Sequence, residues 1–442
     1  MDAKYKNDEK NVVVDDSKYS METHLIYGKN ESVKWDYSHH VVAPMSTSVI
    51  FRLDSVERGA EGFQEFANTE TFGNNDPIYI YDRFGEPNKD LLEENLAYIE
   101  KGETAVTFSS GMGAISGIFG MLCKSGDEIV AHTSLYGCTY SLLNLWYPRY
   151  NIKTTAIDLT ILDGIEKVIT PKTRVIYFET PSNPTLDIID IRAIKLIADK
   201  FNEGRKESEK IFIVVDNTFA TPYCQRPIEF GADFVVHSLT KGLGGFGTDM
   251  GGVVIGPKHY RDLLLMVRKD FGAVLGTKAA WSVLTYGLPT LHLRIQRQIS
   301  NAYKVAQYLE THPSIEVVNY PGLKSFKFHE LAKKQMLDFD GNFAPGSLIY
   351  FALKGKDYPE MKDNGRRLMN YAAKNAYTLT LAVSLGHTRT LIEHPASMTH
   401  SAMPAEKLME AGIHPGGIRL AIGLENPNDL ISDLEKCLKA IL

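Results

Sequence analysis

Three apolar runs in this chain lead directly into residue types that can do chemistry. Ile211–Val215 runs into Asp216–Asn217–Thr218, Phe234–His237 into Ser238–Leu239–Thr240–Lys241, and Val106–Phe108 into Ser109–Ser110–Gly111–Met112–Gly113, which opens a helix. An acid, a lysine among hydroxyls and a glycine-bearing helix start, each at the end of a strand, together meet the needs of pyridoxal phosphate. Its aldehyde needs an amine, which Lys241 offers. Its pyridine nitrogen must be held protonated for the ring to act as an electron sink, which a carboxylate such as Asp216 does. Its phosphate suits the backbone N–H groups of Gly111 and Met112 and the hydroxyls of Ser238 and Thr240. Its flat ring wants an aromatic face, and Tyr136 in Leu135–Tyr136–Gly137–Cys138–Thr139 follows the next strand.

Each piece also has a plain structural reading. A strand-end aspartate can cap a turn, a Ser-x-Thr-Lys lysine can sit on the surface, and the Gly111–Gly113 glycines can serve close helix packing. It is the three in one order that carry the argument. Gly242–Leu243–Gly244–Gly245–Phe246–Gly247 matches the GxGxxG dinucleotide pattern. It follows a lysine instead of a strand and leads into the strand Val253–Ile255, so the context for nicotinamide binding is missing.

Positioning these residues requires a sheet with its strand ends on one edge. Glu128–Ala131 and Arg174–Phe178 join the three runs above and Val253–Ile255 as buried strands, and amphipathic stretches such as Ile191–Phe201 lie between several of them. That alternation predicts an α/β fold with a largely parallel sheet covered on both faces. Beyond about Gly276 the texture changes. A helical stretch over Lys278–Leu309 breaks near Gly287–Pro289; strands are expected at Ile315–Asn319, Ser347–Leu353, Leu379–Val383 and Ile418–Ala421, and a last helix at Asp429–Leu442. The expected division is an N-terminal arm over 1–65, a cofactor domain over 66–295 and a smaller α+β domain over 296–442.

Composition sets the bounds. The 442 residues are 44% hydrophobic and 23% charged, near the average for globular chains, and length alone suggests two or three units. With 48 basic and 54 acidic residues the net charge is −6, which disfavours nucleic-acid binding. Met1–Asp16 is charged and lacks a signal-like apolar core. The most apolar window, Ala105–Cys123, is interrupted by glycines and serines, so no membrane span is expected. Cys123, Cys138, Cys224 and Cys437 form no CxxC pair, and His394 and His400 have neither helical spacing nor a third ligand, so neither a disulfide framework nor a metal is expected. A cytoplasmic location follows as an expectation.

The chain resembles the Cys/Met-metabolism (transsulfuration) family of pyridoxal-phosphate enzymes from about Ser38 to its end. The resemblance rests on Tyr81–Asp82–Arg83, Ser109–Ala114, Leu135–Thr139, Glu179–Pro184, Asp216–Pro222, His237–Lys241, Ala382–Gly386 and His394–His400. It implies the aspartate-aminotransferase-like fold, called fold type I, and gives catalytic roles to Lys241, Tyr136 and Asp216. It implies that Tyr81 and Arg83 reach a neighbouring subunit's cofactor phosphate, in a homotetramer built from dimers sharing active sites. It implies that Asn183, Ser384 and Arg419 receive an amino-acid substrate, the forked guanidinium suiting its carboxylate. Two positions depart from the pattern: Glu86–Pro87–Asn88 replaces Asn-Pro-Thr, and Phe246 stands where a histidine is usual. Cys138 and the Lys269–Asp270 pair are similar to the methionine γ-lyase branch and are expected to shape the substrate pocket. The expected reaction is γ-elimination of L-methionine to 2-oxobutyrate, methanethiol and ammonia. The alternatives are a cystathionine γ-lyase or γ-synthase, an O-acetylhomoserine sulfhydrylase and, remotely, a non-catalytic binding protein of the same fold.

Overall fold

A computed structural model of the chain describes residues 18–28, 40–66, 78–401 and 405–441. The charged segment Met1–Asp16 lies outside them. The larger sheet has seven strands: β1 (Thr104–Phe108), β2 (Glu128–His132), β3 (Lys153–Ile157), β4 (Thr173–Glu179), β5 (Phe212–Asp216), β6 (Phe234–Ser238) and β7 (Gly252–Gly256), in the order β1-β7-β6-β5-β4-β2-β3. All neighbours are parallel except β7, which runs antiparallel to β1 and β6. The strands read as unbroken apolar runs because both faces are covered. Val130, Ile176, Ile213, Val215, Val235 and Val253 pack into one core, while Ile129, Val175, Tyr177, Val214, Val236 and Val254 pack into another on the opposite face. The period of two along each strand divides them.

The edge strand β3 was not expected from the sequence. Its Lys-Thr-Thr-Ala-Ile run is half exposed and lacks the apolar signature of its buried neighbours.

A second sheet contains β8 (Ile315–Asn319), β9 (Leu348–Leu353), β10 (Thr380–Leu381), β11 (Leu391–Glu393) and β12 (Gly417–Ala421), in the order β10-β11-β12-β9-β8. Three residues are too few for β11 to have shown a pattern in the sequence. The helices Tyr358–Asn375 and Pro427–Lys439 pack on this sheet through Leu368, Ala372, Leu430, Leu434 and Leu438. The helix Leu291–Glu310 joins the two layers. Leu291 and Ile295 belong to the first core, whereas Ala302, Val305 and Leu309 belong to that of the second sheet. The expected break before it falls at Gly287–Thr290, where the wide turn Val283–Gly287 ends. No helix among the described residues is long and apolar enough to cross a membrane.

Candidate active site

The carboxyl ends of β4, β5 and β6 lie side by side and deliver two acids and the lysine turn. Glu179 and Asp216 are register partners across the β4–β5 ladder. Burial pushes both carboxyls above the usual range, Glu179 well above it, with the charge of Asp216 as the next cause. Asp216 Oδ1 accepts the Thr218 N–H at 2.9 Å, and the Tyr177 hydroxyl stands 3.5 Å from Oδ2. Glu179 Oε1 accepts the backbone N–H of Tyr136 at 2.7 Å, which fixes the start of that loop to the strand.

Lys241 follows β6 by one turn and donates to Ser384 Oγ at 2.7 Å. Burial and then the nearby Arg419 charge hold its ammonium below the ordinary lysine range, with Glu393 opposing. The helix Gly111–Leu122 begins beside this turn, and Ser110 Oγ caps it by accepting from Gly113 N–H at 3.0 Å. The N–H groups of Gly111 and Met112, as the first two of the helix, have no partner within it. Gly111 is needed for space: a Cβ there would lie 2.9 Å from Ser238 Cβ. The Thr240 hydroxyl accepts from Gly251 N–H at 3.1 Å.

The second sheet brings Arg419 across. In β12 it is opposite Glu393 of β11, and its Nη1 lies 3.1 Å from Glu393 Oε1. The same Nη1 donates to Asn183 Oδ1 at 3.0 Å, and Nη2 donates to the Ser384 carbonyl at 2.8 Å. Nε is buried without a hydrogen-bond partner. Ser384 itself has φ 95°, a left-handed conformation that costs a non-glycine residue about 1–3 kcal/mol. Lys241, Ser384, Arg419 and Asn183 thus form one linked group. The family resemblance gives Arg419 a substrate carboxylate, and in the structure its guanidinium is paired with Glu393.

Tyr136 stands at the rim, 38% exposed. Burial of the rest of the ring, and then its hydrogen bond with Cys138, push the phenol up to about 12. Cys138 is exposed beside it. Tyr81 and Arg83 lie elsewhere on this chain: the guanidinium packs over the Tyr81 and Phe84 rings, and Nη1 donates to the Lys269 carbonyl at 3.0 Å. Lys269 pairs with Asp270 at 3.2 Å. Lys269 and Asp270 therefore travel with Arg83, while Cys138 travels with Tyr136.

Both departures from the family pattern have local roles. Glu86 caps the helix Pro87–Ile99, taking the N–H groups of Asn88 and Lys89 at 2.9 Å each. Phe246 lies under the guanidinium of Arg294, whose Cζ is 5.5 Å from the ring centroid. His394 and His400 each face a backbone carbonyl. His394 Nε2 meets the Pro415 carbonyl at 2.7 Å, and His400 Nε2 the Leu135 carbonyl at 3.3 Å.

His400 gives a pH prediction. Burial lowers its pKa to about 4, against an ordinary value of 6.5. The unfolded chain therefore binds the extra proton first, and stability falls as pH drops from about 6.5 towards 4. This group contributes about 2 kcal/mol of that loss between pH 7 and pH 5. His400→Gln should flatten the decline in urea-unfolding free energy over that interval by a comparable amount; an unchanged slope would exclude His400 as its source.

A strand edge that presents a desolvated lysine, a buried carboxylate and an open helix start defines a pyridoxal-phosphate-dependent enzyme of α/β architecture. The chain belongs to the family of Cys/Met metabolism PLP-dependent enzymes, which it matches over residues 22–439. It is 42% identical over 400 residues to L-methionine gamma-lyase of Fusobacterium nucleatum subsp. polymorphum, covering 90% of this chain and 93% of that protein. It is 37% identical over 364 residues to cystathionine gamma-lyase of Bacillus subtilis, covering 82% and 89%. Among solved structures, cystathionine gamma-lyase from Lactobacillus plantarum complexed with L-serine aligns with a TM-score of 0.81 and 32% identity, over 96% of this chain and 99% of that one. The protein is a pyridoxal-phosphate-dependent carbon–sulfur lyase of fold type I, as its sequence led one to expect.

The residues present fit the cofactor. Asp216 is a carboxyl whose charge burial disfavours, the setting in which a cationic ring nitrogen is welcome. Gly111 leaves open the space that a Cβ would fill beside Ser238.

Sequence reasoning missed Glu179 as a separate site residue and Glu393 altogether. Glu179 was visible only as the first letter of a quoted motif, and Glu393 immediately precedes another, on the strand too short to predict.

Proposed function

We propose that the enzyme cleaves L-methionine by γ-elimination, giving 2-oxobutyrate, methanethiol and ammonia with uptake of one water. The observation that carries this reading is the exposed Cys138 thiol beside the Tyr136 phenol, a soft, uncharged neighbour suited to a thioether. The name of the 42%-identical relative supports it.

When bound, pyridoxal phosphate supplies an electron sink for carbanions next to the substrate amine. Asp216 would hold its ring nitrogen, Lys241 its aldehyde, and the hydroxyls of Ser238 and Thr240 with the Gly111 and Met112 N–H groups its phosphate. Lys241, whose pKa is lowered by burial and then by Arg419, takes the proton from Cα. Tyr136, whose phenol stays protonated at neutral pH, delivers a proton to the departing thiolate. Arg419 binds the substrate carboxylate through its fork, with Asn183 and Ser384 orienting it.

The second named relative favours a second reading. It is cleavage of cystathionine, the substrate in the name of the 37%-identical relative. The test is a panel of methionine, cystathionine, homocysteine, and O-acetylhomoserine with and without sulfide. Methanethiol release without added thiol is expected, and Cys138→Gly should shift preference from methionine towards cystathionine. An enzyme that ignores methionine but consumes O-acetylhomoserine only with sulfide is a sulfhydrylase.

The same reading includes a cytoplasmic homotetramer whose dimers share active sites, with Tyr81 and Arg83 serving the partner's cofactor phosphate. Because Lys269 and Asp270 accompany Arg83, they would enter the partner's pocket together and meet that subunit's Cys138 there. The division into an arm over 1–65, a cofactor domain over 66–295 and a smaller domain over 296–442 belongs to this proposal.

A further inference from the structure

Behind the strand ends lies a carboxylate that the chemistry above does not use. Glu100 closes the helix Pro87–Ile99 and is completely buried. Its Oε1 accepts from Asn217 Nδ2 at 3.0 Å, and its Oε2 meets His237 Nε2 at 3.1 Å. Asn217 is the residue after Asp216. His237 sits in β6, four residues before Lys241. The ladder between β5 and β6 ends at the pair Asp216 and Val236, and Glu100 joins the next residue of each strand, Asn217 and His237.

The grip is built into a wider network. Asn217 also donates to the Gln225 carbonyl at 2.7 Å. Gln225 Nε2 returns a bond to Asn217 Oδ1 at 2.9 Å and reaches the Thr180 carbonyl at 2.8 Å. Gln335 completes the run, donating to Gln225 Oε1 at 3.0 Å. Burying a carboxylate is costly, and an apolar side chain would fill the same volume without that cost. What the carboxylate adds is two directed acceptors for donors on two different strands.

We propose that Glu100 is a positioning residue for the cofactor site: by holding Asn217 and His237 at once, it sets where Asp216 and Lys241 stand relative to each other. The inference rests on the assignment of Asp216 and Lys241 to pyridoxal phosphate. Charge enters as well as geometry. Asp216 is faced by Tyr177 and Glu179 from β4, by Thr218 from its own strand exit and by His237 from β6. Glu100 is faced by His237, Asn217 and Arg226. Lys241 is faced by Arg419, Glu393 and Ser384. Replacing the Glu100 carboxyl therefore reaches Asp216 through His237, with no altered residue touching cofactor or substrate.

The test uses the holoenzyme of Glu100→Gln, read by a pH titration of the bound cofactor's visible absorbance together with kcat and KM. The midpoint should move by about one unit or more, and kcat should fall about 10²-fold with KM changed much less. Gln335→Leu disturbs the far end of the same network. It should lower Tm while leaving the absorbance midpoint at the wild-type value. Wild-type midpoint and kcat in Glu100→Gln overturn the proposal, as does an equal midpoint shift in Gln335→Leu, which would make the effect one of general loosening. If Glu100→Gln yields no folded holoenzyme, Asn217→Ser, which releases one arm, is read in its place; an unmoved midpoint there is equally fatal. Failure of the underlying assignment looks different: Lys241→Ala would then retain the wild-type visible band.

Discussion

Lys241→Ala should lose turnover by at least about 10⁴-fold and replace the wild-type visible absorbance with that of the free cofactor aldehyde. Borohydride reduction of the wild type, followed by peptide mapping, should attach the cofactor to Lys241. The size of the effect follows from two duties held by one amine, anchoring the cofactor and moving the Cα proton. Lysines already held in ion pairs offer no substitute. Lys269 is committed to Asp270 beside Arg83, and buried Lys89 is held by Asp82. Label recovered on any other lysine would refute the assignment.

Arg83→Ala should weaken cofactor retention by about 10²-fold, the cost of a charge-assisted bond to a phosphate. Mixed with Lys241→Ala, it should regain activity. If each site takes Lys241 from one subunit and Arg83 from the other, a mixed dimer has one intact site. Random exchange then restores about a quarter of wild-type activity. Lys269→Ala, carried on the same surface as Arg83, should complement Lys241→Ala in the same way if it impairs turnover. No recovery despite demonstrated subunit exchange would place these residues in their own subunit's site.

Much of the site was readable because its chemistry stands at the ends of apolar strands. Asp216 terminates four buried residues of β5, and Lys241 lies one turn past β6. The helix start at Gly111 was equally clear from its glycines and its serine cap. What escaped were single acids. Glu100 meets its partners at sequence separations of 117 and 137 residues, and Glu393 meets Arg419 only through an antiparallel pairing of β11 with β12. A lone glutamate has no local pattern, since its meaning comes from what the fold brings to it. The grouping of Lys269 with Arg83 was hidden for the same reason, the two being 186 residues apart.

The helix Leu291–Glu310 has a bearing on how this chain can change length. Arg294 Nη1 donates to the Gly242 carbonyl at 2.8 Å, directly after Lys241. Gln298 Nε2 reaches His387 O at 2.9 Å, in the loop that follows Ser384, and Asn301 Nδ2 reaches Gly423 O at 3.1 Å, just past β12. Three separate segments of the site are thus gauged from one rod at successive turns. A residue inserted between Arg294 and Gln298 would rotate everything after it by about 100°, leaving the lysine turn attached while the substrate-side loops lost their anchors. Surface loops can gain or lose residues over evolutionary time, but this helix is a ruler, and its tally of residues between Arg294 and Asn301 is fixed by the distances it measures.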